Sequence, residues 1–378
     1  MSKSLKVAIV ADWLTNVGGA EHLVYSLHNA FPEAPIFTSV FDAQRCHLFK
    51  GLDVRTSSLQ RLPSFLRWRH QLFPLLRAAA FRKLDLSAYD VVISSASAEA
   101  KAVQVRPDAV HICYCHTPTR YYWSHYEEYK KHPGFGILNP LARLALPLFV
   151  RKMRRLDLQA VAGVDYFIAN SHEVQERIEK YYHRESTVIF PPVGTKRLKP
   201  AASTKKEDFY LIVGRQIPYK RVDLAIAACN KLGRRLTVIG KGSEHGKLVK
   251  LAGPSVEFLT GITDVQKIAY FQKAKAFIFP SLEDFGIVPV EAMAAGTPVI
   301  AYQLGGAADT VKPGVSGLFF QEQTVEAVAE AIQQFEAQTF DRQAIIAHAQ
   351  QFDESVFIEK MQQFVNEHQE PRNPEPAH

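Results

Sequence analysis

Short apolar runs of the kind found in buried strands alternate with helical stretches along this chain, and the alternation occurs twice, with a proline-bearing break between. The first series places runs at Val7 to Ala11, Ile36 to Val40, Val91 to Ser94, His111 to Tyr114 and Tyr166 to Ala169, separated by helical stretches such as Ala20 to Ala30 and His172 to Tyr182. Strands alternating with helices predict a doubly wound parallel sheet. The pattern stops at Phe190-Pro191-Pro192-Val193-Gly194, and the polar, lysine-rich Thr195 to Asp208 reads as a linker. It restarts with Phe209 to Val213, Leu236 to Ile239, Val256 to Leu259, Ala276 to Phe279 and Val299 to Ala301. The expected fold class is α/β, with two Rossmann-like doubly wound domains over 1–192 and 193–351. A length of 378 residues, more than one hydrophobic core usually supports, agrees with two domains. A helical pattern within 352–368 is expected to pack back on the first domain, and the proline-rich 369–378 to be disordered. Sheets of this kind bind ligands beyond the carboxyl ends of their strands, so the chemistry is sought just after strands, facing a crevice between the domains.

Composition narrows the function classes. Hydrophobic residues make up 47% and charged residues 22%, ordinary values for a soluble globular chain. The apolar run Lys6 to Ala11 is cut short by Asp12 and reads as a strand rather than a signal peptide, and Leu144 to Val150 is too short for a bilayer and holds Pro147. The expected location is cytoplasmic, on or near the inner face of the membrane. The four cysteines form no disulfide pattern, and Cys113-Tyr114-Cys115-His116 lacks a second pair at zinc-finger spacing, so it reads as a buried strand end and no metal site is expected. A formal net charge of +7 points to an acidic partner. Between Asp53 and Asp85 there is no acid, but Arg55, Arg61, Arg67, Arg69, Arg77, Arg82 and Lys83 are interleaved with Phe65, Trp68, Leu72, Leu76 and Phe81. A second cluster, Arg143, Arg151, Lys152, Arg154 and Arg155, flanks Leu144 to Val150. Two readings stay open: a helix lying in an anionic membrane interface, or core-packed helices with a solvated basic face. No nucleic-acid-binding motif occurs, and none is expected as a partner.

The most informative segment is Phe279-Pro280-Ser281-Leu282-Glu283-Asp284-Phe285-Gly286-Ile287-Val288-Pro289-Val290-Glu291, continuing to Gly296 and Ile300. It reads strand, tight turn, helix, strand. Gly286 permits the turn, Pro289 suits a first helical turn, and Gly296 suits the position past a helix end. Backbone N–H groups at Gly286, Ile287 and Val288 would leave the helix N-terminus unpaired, an anion site fit for a diphosphate. Glu291 can accept from two ribose hydroxyls, and Glu283 from hydroxyls of a sugar. Arg215 and Lys220, flanking a loop directly after the first strand of the second domain, can neutralise a departing diphosphate. The bland alternative is an ordinary βαβ unit with solvated charges.

The order Arg215-x4-Lys220, then Glu283-x7-Glu291 around Phe285-Gly286-Ile287-Val288, resembles the retaining glycosyltransferase family 4, which has the GT-B fold. Val17-Gly18-Gly19-Ala20-Glu21, Ile168-Ala169-Asn170-Ser171, Val188 to Val193, Gly240-Lys241-Gly242 and Phe258 to Asp264 extend the resemblance over nearly the whole chain. Lys241 departs from it, where an acidic or small polar residue is usual. The resemblance implies that Arg215 and Lys220 hold the diphosphate, Glu291 the ribose and Glu283 the donor sugar. It implies that Gly18 and Gly19 let the backbone approach phosphate and acceptor, that Ile262 and Asp264 lie at the nucleotide, and that His116 stands beside the reacting sugar. Arg120, Tyr121, Tyr122 and Trp123 beyond His116 are read as groups to stack on sugar rings. The run His116-Thr117-Pro118-x-Arg120-Tyr121-x-Trp123 resembles bacterial mannosyltransferases of O-antigen and exopolysaccharide assembly, implying GDP-mannose as donor. Asp264 could accept from guanine N1–H and N2–H, or simply cap the helix 265–273. No Asp-x-Asp occurs, so a metal-independent hexosyltransferase without a cofactor is expected, acting on a saccharide or polyprenyl-diphosphate-linked acceptor in polysaccharide biosynthesis. A UDP-sugar transferase, a sugar-nucleotide epimerase and a non-catalytic binding module are the rival readings.

Overall fold

A computed structural model describes residues 5–67, 69, 73–124, 126–131, 139–201 and 204–371. The chain forms two compact units, one of residues 1–190 and 357–378, the other of residues 191–356. Trp68 and Leu72, the side chain of Arg143, and most of the tail 369–378 lie outside the described residues.

The first unit holds a seven-stranded sheet of β1 (Val7–Ala11), β2 (Ile36–Thr38), β3 (Val54–Thr56), β4 (Val91–Ala96), β5 (Val110–Cys115), β6 (Tyr166–Ala169) and β7 (Ser186–Val188). Their order is β3-β2-β1-β4-β5-β6-β7, with every pairing parallel. The central strands β1, β4 and β5 are buried along their whole length, because helices cover both faces, and the polar residues they carry are paired inside, the Ser94 hydroxyl lying 2.8 Å from His111 Nε2. On one face Ile9, Ile93, Ile112 and Tyr114 pack with Leu23 and Leu27 of the helix Gly19–Ala30 and with Phe357, Met361 and Val365 of the helix Glu354–Glu367. The chain's last helix is thereby part of the first unit's core. On the other face Val10, Val92, Cys113 and Phe167 pack with Ile178 and Tyr182 of the helix His172–Tyr182. The four cysteines are buried and none forms a disulfide.

The second unit repeats the architecture with β8 (Tyr210–Val213), β9 (Leu236–Ile239), β10 (Val256–Leu259), β11 (Ala276–Phe279), β12 (Val299–Tyr302) and β13 (Gly317–Phe320). All are parallel, in the order β10-β9-β8-β11-β12-β13. The segment Thr195 to Asp208, expected as a linker, instead belongs to the second unit. Thr195 and Leu198 are buried, Thr195 Oγ bonds the Asp353 carboxylate, and Val193 N donates to Phe352 O at 3.0 Å. The polar composition that signalled a loose connector instead supplies partners that fasten the segment to the second unit.

Candidate active site

In each sheet the strand order reverses beside the first strand, and in sheets of this kind ligands bind there, beyond the carboxyl ends of the strands. In the second unit the reversal lies between β8 and β11. The chain leaves β8 as Gly214-Arg215-Gln216-Ile217 and closes a short turn at Pro218–Lys220. It leaves β11 through Pro280 to Gly286, and the Lys220 ammonium bonds the Glu283 carboxylate across the reversal point. The Ser281 hydroxyl donates to the same Glu283 oxygen at 2.8 Å, and Gly306 N donates to the Glu283 backbone carbonyl at 2.8 Å. Gly305, with φ of 70°, lets the loop after β12 come this close, since a Cβ there would stand 2.4 Å from Glu283 O. Glu283 is thus held at both its backbone and its carboxylate. Arg215 is exposed on the same loop as Lys220, and among the described residues no carboxylate pairs with it. The loop therefore presents one compensated and one uncompensated cation.

Gly286 (φ 86°) turns the chain into the helix Ile287–Ala294 and leads it from its N-cap. A side chain there would be strained by the left-handed backbone and would meet the Phe279 ring at 3.2 Å. The first N–H groups of a helix have no intrahelical acceptor, and among the described residues none takes up those of Gly286, Ile287 and Val288. Gly296, at φ 72°, ends the helix. Glu291, one turn in, is buried, and an Arg197 guanidinium nitrogen lies 3.7 Å from its carboxylate. Burial pushes its pKa up, Lys267 and Arg197 pull it back, and Asp264 pushes it further up. Lys267 in turn pairs with Asp264 at 3.4 Å. The N-cap of the helix Asp264–Lys273 is Thr263, whose hydroxyl accepts from Gln266 N at 3.2 Å. Asp264 is therefore not the cap that the sequence left open; it is the first helical residue, with its carboxylate exposed. Ile262 is half-buried in the turn before it. Arg197 and Lys267 escaped the sequence reading, Arg197 because it lay in the supposed linker. Lys267, three residues after Asp264, was visible as a helical charge pair.

The first unit contains the remaining candidates. Gly18 is the N-cap of the helix Gly19–Ala30, and its N–H donates to the Glu21 carboxylate at 3.0 Å. Glu21 is itself buried, which pushes its pKa up. His116 follows β5, with Nε2 and the Ser95 hydroxyl 2.8 Å apart and its carbonyl accepting from Asn170 Nδ2 at 3.0 Å. The sequence reading missed Asp12 at the end of β1. Its buried carboxylate accepts from Ser97 N at 2.7 Å, Ala98 N at 2.9 Å and Ala100 N at 2.7 Å, tying the loop after β4 to β1 across this sheet's reversal point.

Two aromatic residues assigned to sugar stacking do something else. Tyr122 is buried with its hydroxyl donating to Glu99 at 3.2 Å, and Trp123 Nε1 donates to Asp157 at 2.7 Å. Asp157 is the partner of buried Lys101, at 2.7 Å, and Glu99 of buried Arg77, at 2.7 Å. These rings satisfy buried carboxylates that would otherwise be costly, and so they belong to the loop's support. Arg77 likewise leaves the basic surface on which the sequence had placed it. Tyr121 is exposed.

Comparison with known proteins now decides the family. The model described as Glycosyltransferase Family 4 matches residues 17–197, and that described as Glycosyl transferases group 1 matches residues 195–352. The chain belongs to glycosyltransferase family 4, with the GT-B fold. The chain is 30% identical over 212 residues to a D-inositol 3-phosphate glycosyltransferase of Streptomyces avermitilis, covering 47% of this chain and 46% of that one. A Mycobacterium leprae protein of the same description is 35% identical over 159 residues, covering 37% of each chain. The chain thus spans about half the length, or less, of these curated relatives. Among solved structures, Anabaena HepE in complex with UDP superposes with a TM-score of 0.68 at 18% identity, covering 96% of this chain and 100% of that one. Sucrose-phosphate synthase of Thermosynechococcus elongatus gives a TM-score of 0.68 at 18% identity over 96% and 98%. At that identity the likeness concerns the fold.

Proposed function

We propose that this family 4 chain transfers a hexose from a nucleoside-diphosphate sugar to a saccharide or polyprenyl-diphosphate-linked saccharide, with retention and without a metal. The observation that carries the reading is the second unit's reversal point. There, Arg215 and Lys220 share the loop after β8, Glu283 bonds Lys220, and the N–H groups of Gly286 to Val288, unpaired among the described residues, open the next helix. On this reading the donor diphosphate lies on the two cations and those N–H groups. As the bond from sugar to phosphate breaks, the departing phosphate oxygen takes the acceptor hydroxyl's proton, and the acceptor oxygen bonds the anomeric carbon on the same face. Arg215, Lys220 and the helix terminus stabilise the charge that develops on the phosphate. Glu291 takes the ribose hydroxyls and Glu283 those of the sugar, while His116 keeps the place beside the reacting sugar that the family resemblance gives it.

For the donor we favour GDP-mannose, in surface polysaccharide assembly. The exposed carboxylate of Asp264, near Glu291, is the right acceptor for guanine N1–H and N2–H. A UDP-sugar is the second reading, favoured by HepE, whose solved complexes hold UDP and UDP-glucose. A thermal-shift screen with GDP, UDP and ADP separates them, because a ligand that binds only the folded chain raises its melting temperature by mass action. GDP giving the largest shift, with mannose transfer from GDP-mannose, is the expected result. A larger shift with UDP overturns the mannose assignment, and no shift with any of the three overturns the transferase reading.

We further place the first unit against an anionic membrane face, where a lipid-linked acceptor would be met. Phe65, Leu76 and Leu148 are exposed large apolar residues, and Arg61, Arg69, Lys83, Arg151 and Lys152 are exposed cations in the same segments. Among the described residues no helix is long and apolar enough to cross a membrane. The chain should float with vesicles containing anionic phospholipid at low salt and release at high salt. Absence of flotation at low salt contradicts this placement.

A further inference from the structure

Gln216 directly follows Arg215 and is fully buried. A buried amide at a strand-end loop is costly unless every polar atom is met, and here one neighbouring loop meets them all. Gln216 N donates to Lys241 O at 3.3 Å, and Glu244 N donates to Gln216 O at 2.9 Å. The side-chain Nε2 donates to Gly240 O at 2.7 Å, and Oε1 lies 2.6 Å from His245 Nδ1. A carbonyl oxygen only accepts, so Gly240 O fixes which end of the amide carries the nitrogen. Oε1 must then accept, and His245 carries its proton on Nδ1. The two loops also interlock sterically: a Cβ at Gly242 would stand 2.2 Å from Gln216 O, and one at Gly240 2.1 Å from Gly214 O. On its far side the His245 ring meets the Phe258 ring edge-on, with centroids 5.4 Å apart.

We propose that Gln216 and His245 are positioning residues for Arg215, fixing the backbone from which its guanidinium reaches the donor diphosphate. The chain turns tightly here, Ile217 N donating to Arg215 O at 3.0 Å. Arg215 lacks a protein partner of its own among the described residues, so its placement is set by the residue that follows it. His245 N–H holds Gln216, and Gln216 holds Arg215. The assignment rests on the reading that Arg215 binds a diphosphate.

Four variants test it, with GDP, UDP and ADP affinity measured by calorimetry and melting temperature followed in parallel. His245→Asn keeps an N–H donor at the position of Nδ1 but loses the ring, whereas His245→Phe keeps the ring against Phe258 but loses the donor. Binding of whichever nucleotide the native chain takes should be within about threefold of native in His245→Asn, and weakened roughly tenfold in His245→Phe, as the loss of one buried hydrogen bond predicts. In an Arg215→Ala background His245→Phe should add little, because the residue it positions is gone. A ring-packing role predicts the reverse order, with Phe tolerated and Asn impaired. That order overturns the proposal, as would full additivity with Arg215→Ala. If the native chain binds none of GDP, UDP and ADP, the transferase reading fails instead.

Discussion

Lys220→Ala lowers the transfer rate by about 10²–10³, as does Arg215→Ala, while the protein stays folded; such a loss is typical when one preorganised charge-stabilising contact is removed from a site. The two substitutions act differently on the site. Arg215 is exposed and carries no carboxylate partner among the described residues, so on the proposed function its removal deletes a contact to the donor alone. Lys220 bonds Glu283, and its removal leaves that carboxylate with the Ser281 hydroxyl at 2.8 Å. Lys220→Ala should therefore loosen Glu283 as well, raising the sugar-dependent part of KM more than Arg215→Ala does. Steady-state kinetics on folded variants decide this, and turnover near the native rate in either variant contradicts the assignment.

The largest effect on stability is expected in the first unit. Lys101 is almost fully buried, its ammonium 2.7 Å from Asp157 and donating to Ala98 O at 2.7 Å. Burial alone would push its pKa down, but the adjacent carboxylate more than offsets that, and the group is held above the ordinary lysine value. Lys101→Met leaves Asp157 buried with Trp123 Nε1 at 2.7 Å and the Tyr182 hydroxyl at 2.8 Å but no countercharge. Breaking such a pair from one side costs about 3–5 kcal/mol, more than removing both partners together. Denaturant unfolding of Lys101→Met, Asp157→Leu and the double variant checks both statements. If the single losses simply add in the double variant, the two groups are not coupled in the way their geometry requires.

The sequence displayed the fold where strands are buried on both faces, and hid it at the margins. The strands it missed are β3 (Val54–Thr56), β7 (Ser186–Val188) and β13 (Gly317–Phe320), and each lies at the edge of its sheet. An edge strand pairs on one side only. Val54-Arg55-Thr56 and Ser186-Thr187-Val188 are therefore short and polar, without the continuous apolar run that marked β1 or β11. The site was legible where backbone geometry dictates residue type, as at Gly286 and Gly296, whose positive φ admits little else. It was illegible where a residue's partner is remote in sequence. Nothing local distinguishes Tyr122 and Trp123 as ligands of buried carboxylates from rings awaiting a sugar; Glu99 and Asp157, 23 and 34 positions away, make the difference. Arg77 read as a surface cation for the same reason, its partner Glu99 lying 22 positions on.

The central claim is that cations and a helix N-terminus, rather than a divalent ion, hold the donor's diphosphate in the second unit. Calorimetric titration of GDP and UDP into the native protein and into Arg215→Ala and Lys220→Ala, each with and without a chelator, tests it most directly. The account predicts that one nucleotide binds the native protein equally well in the presence of EDTA, and about tenfold or more weakly once either cation is removed. Binding that vanishes with EDTA, or that is indifferent to the loss of Arg215 and Lys220, would contradict it.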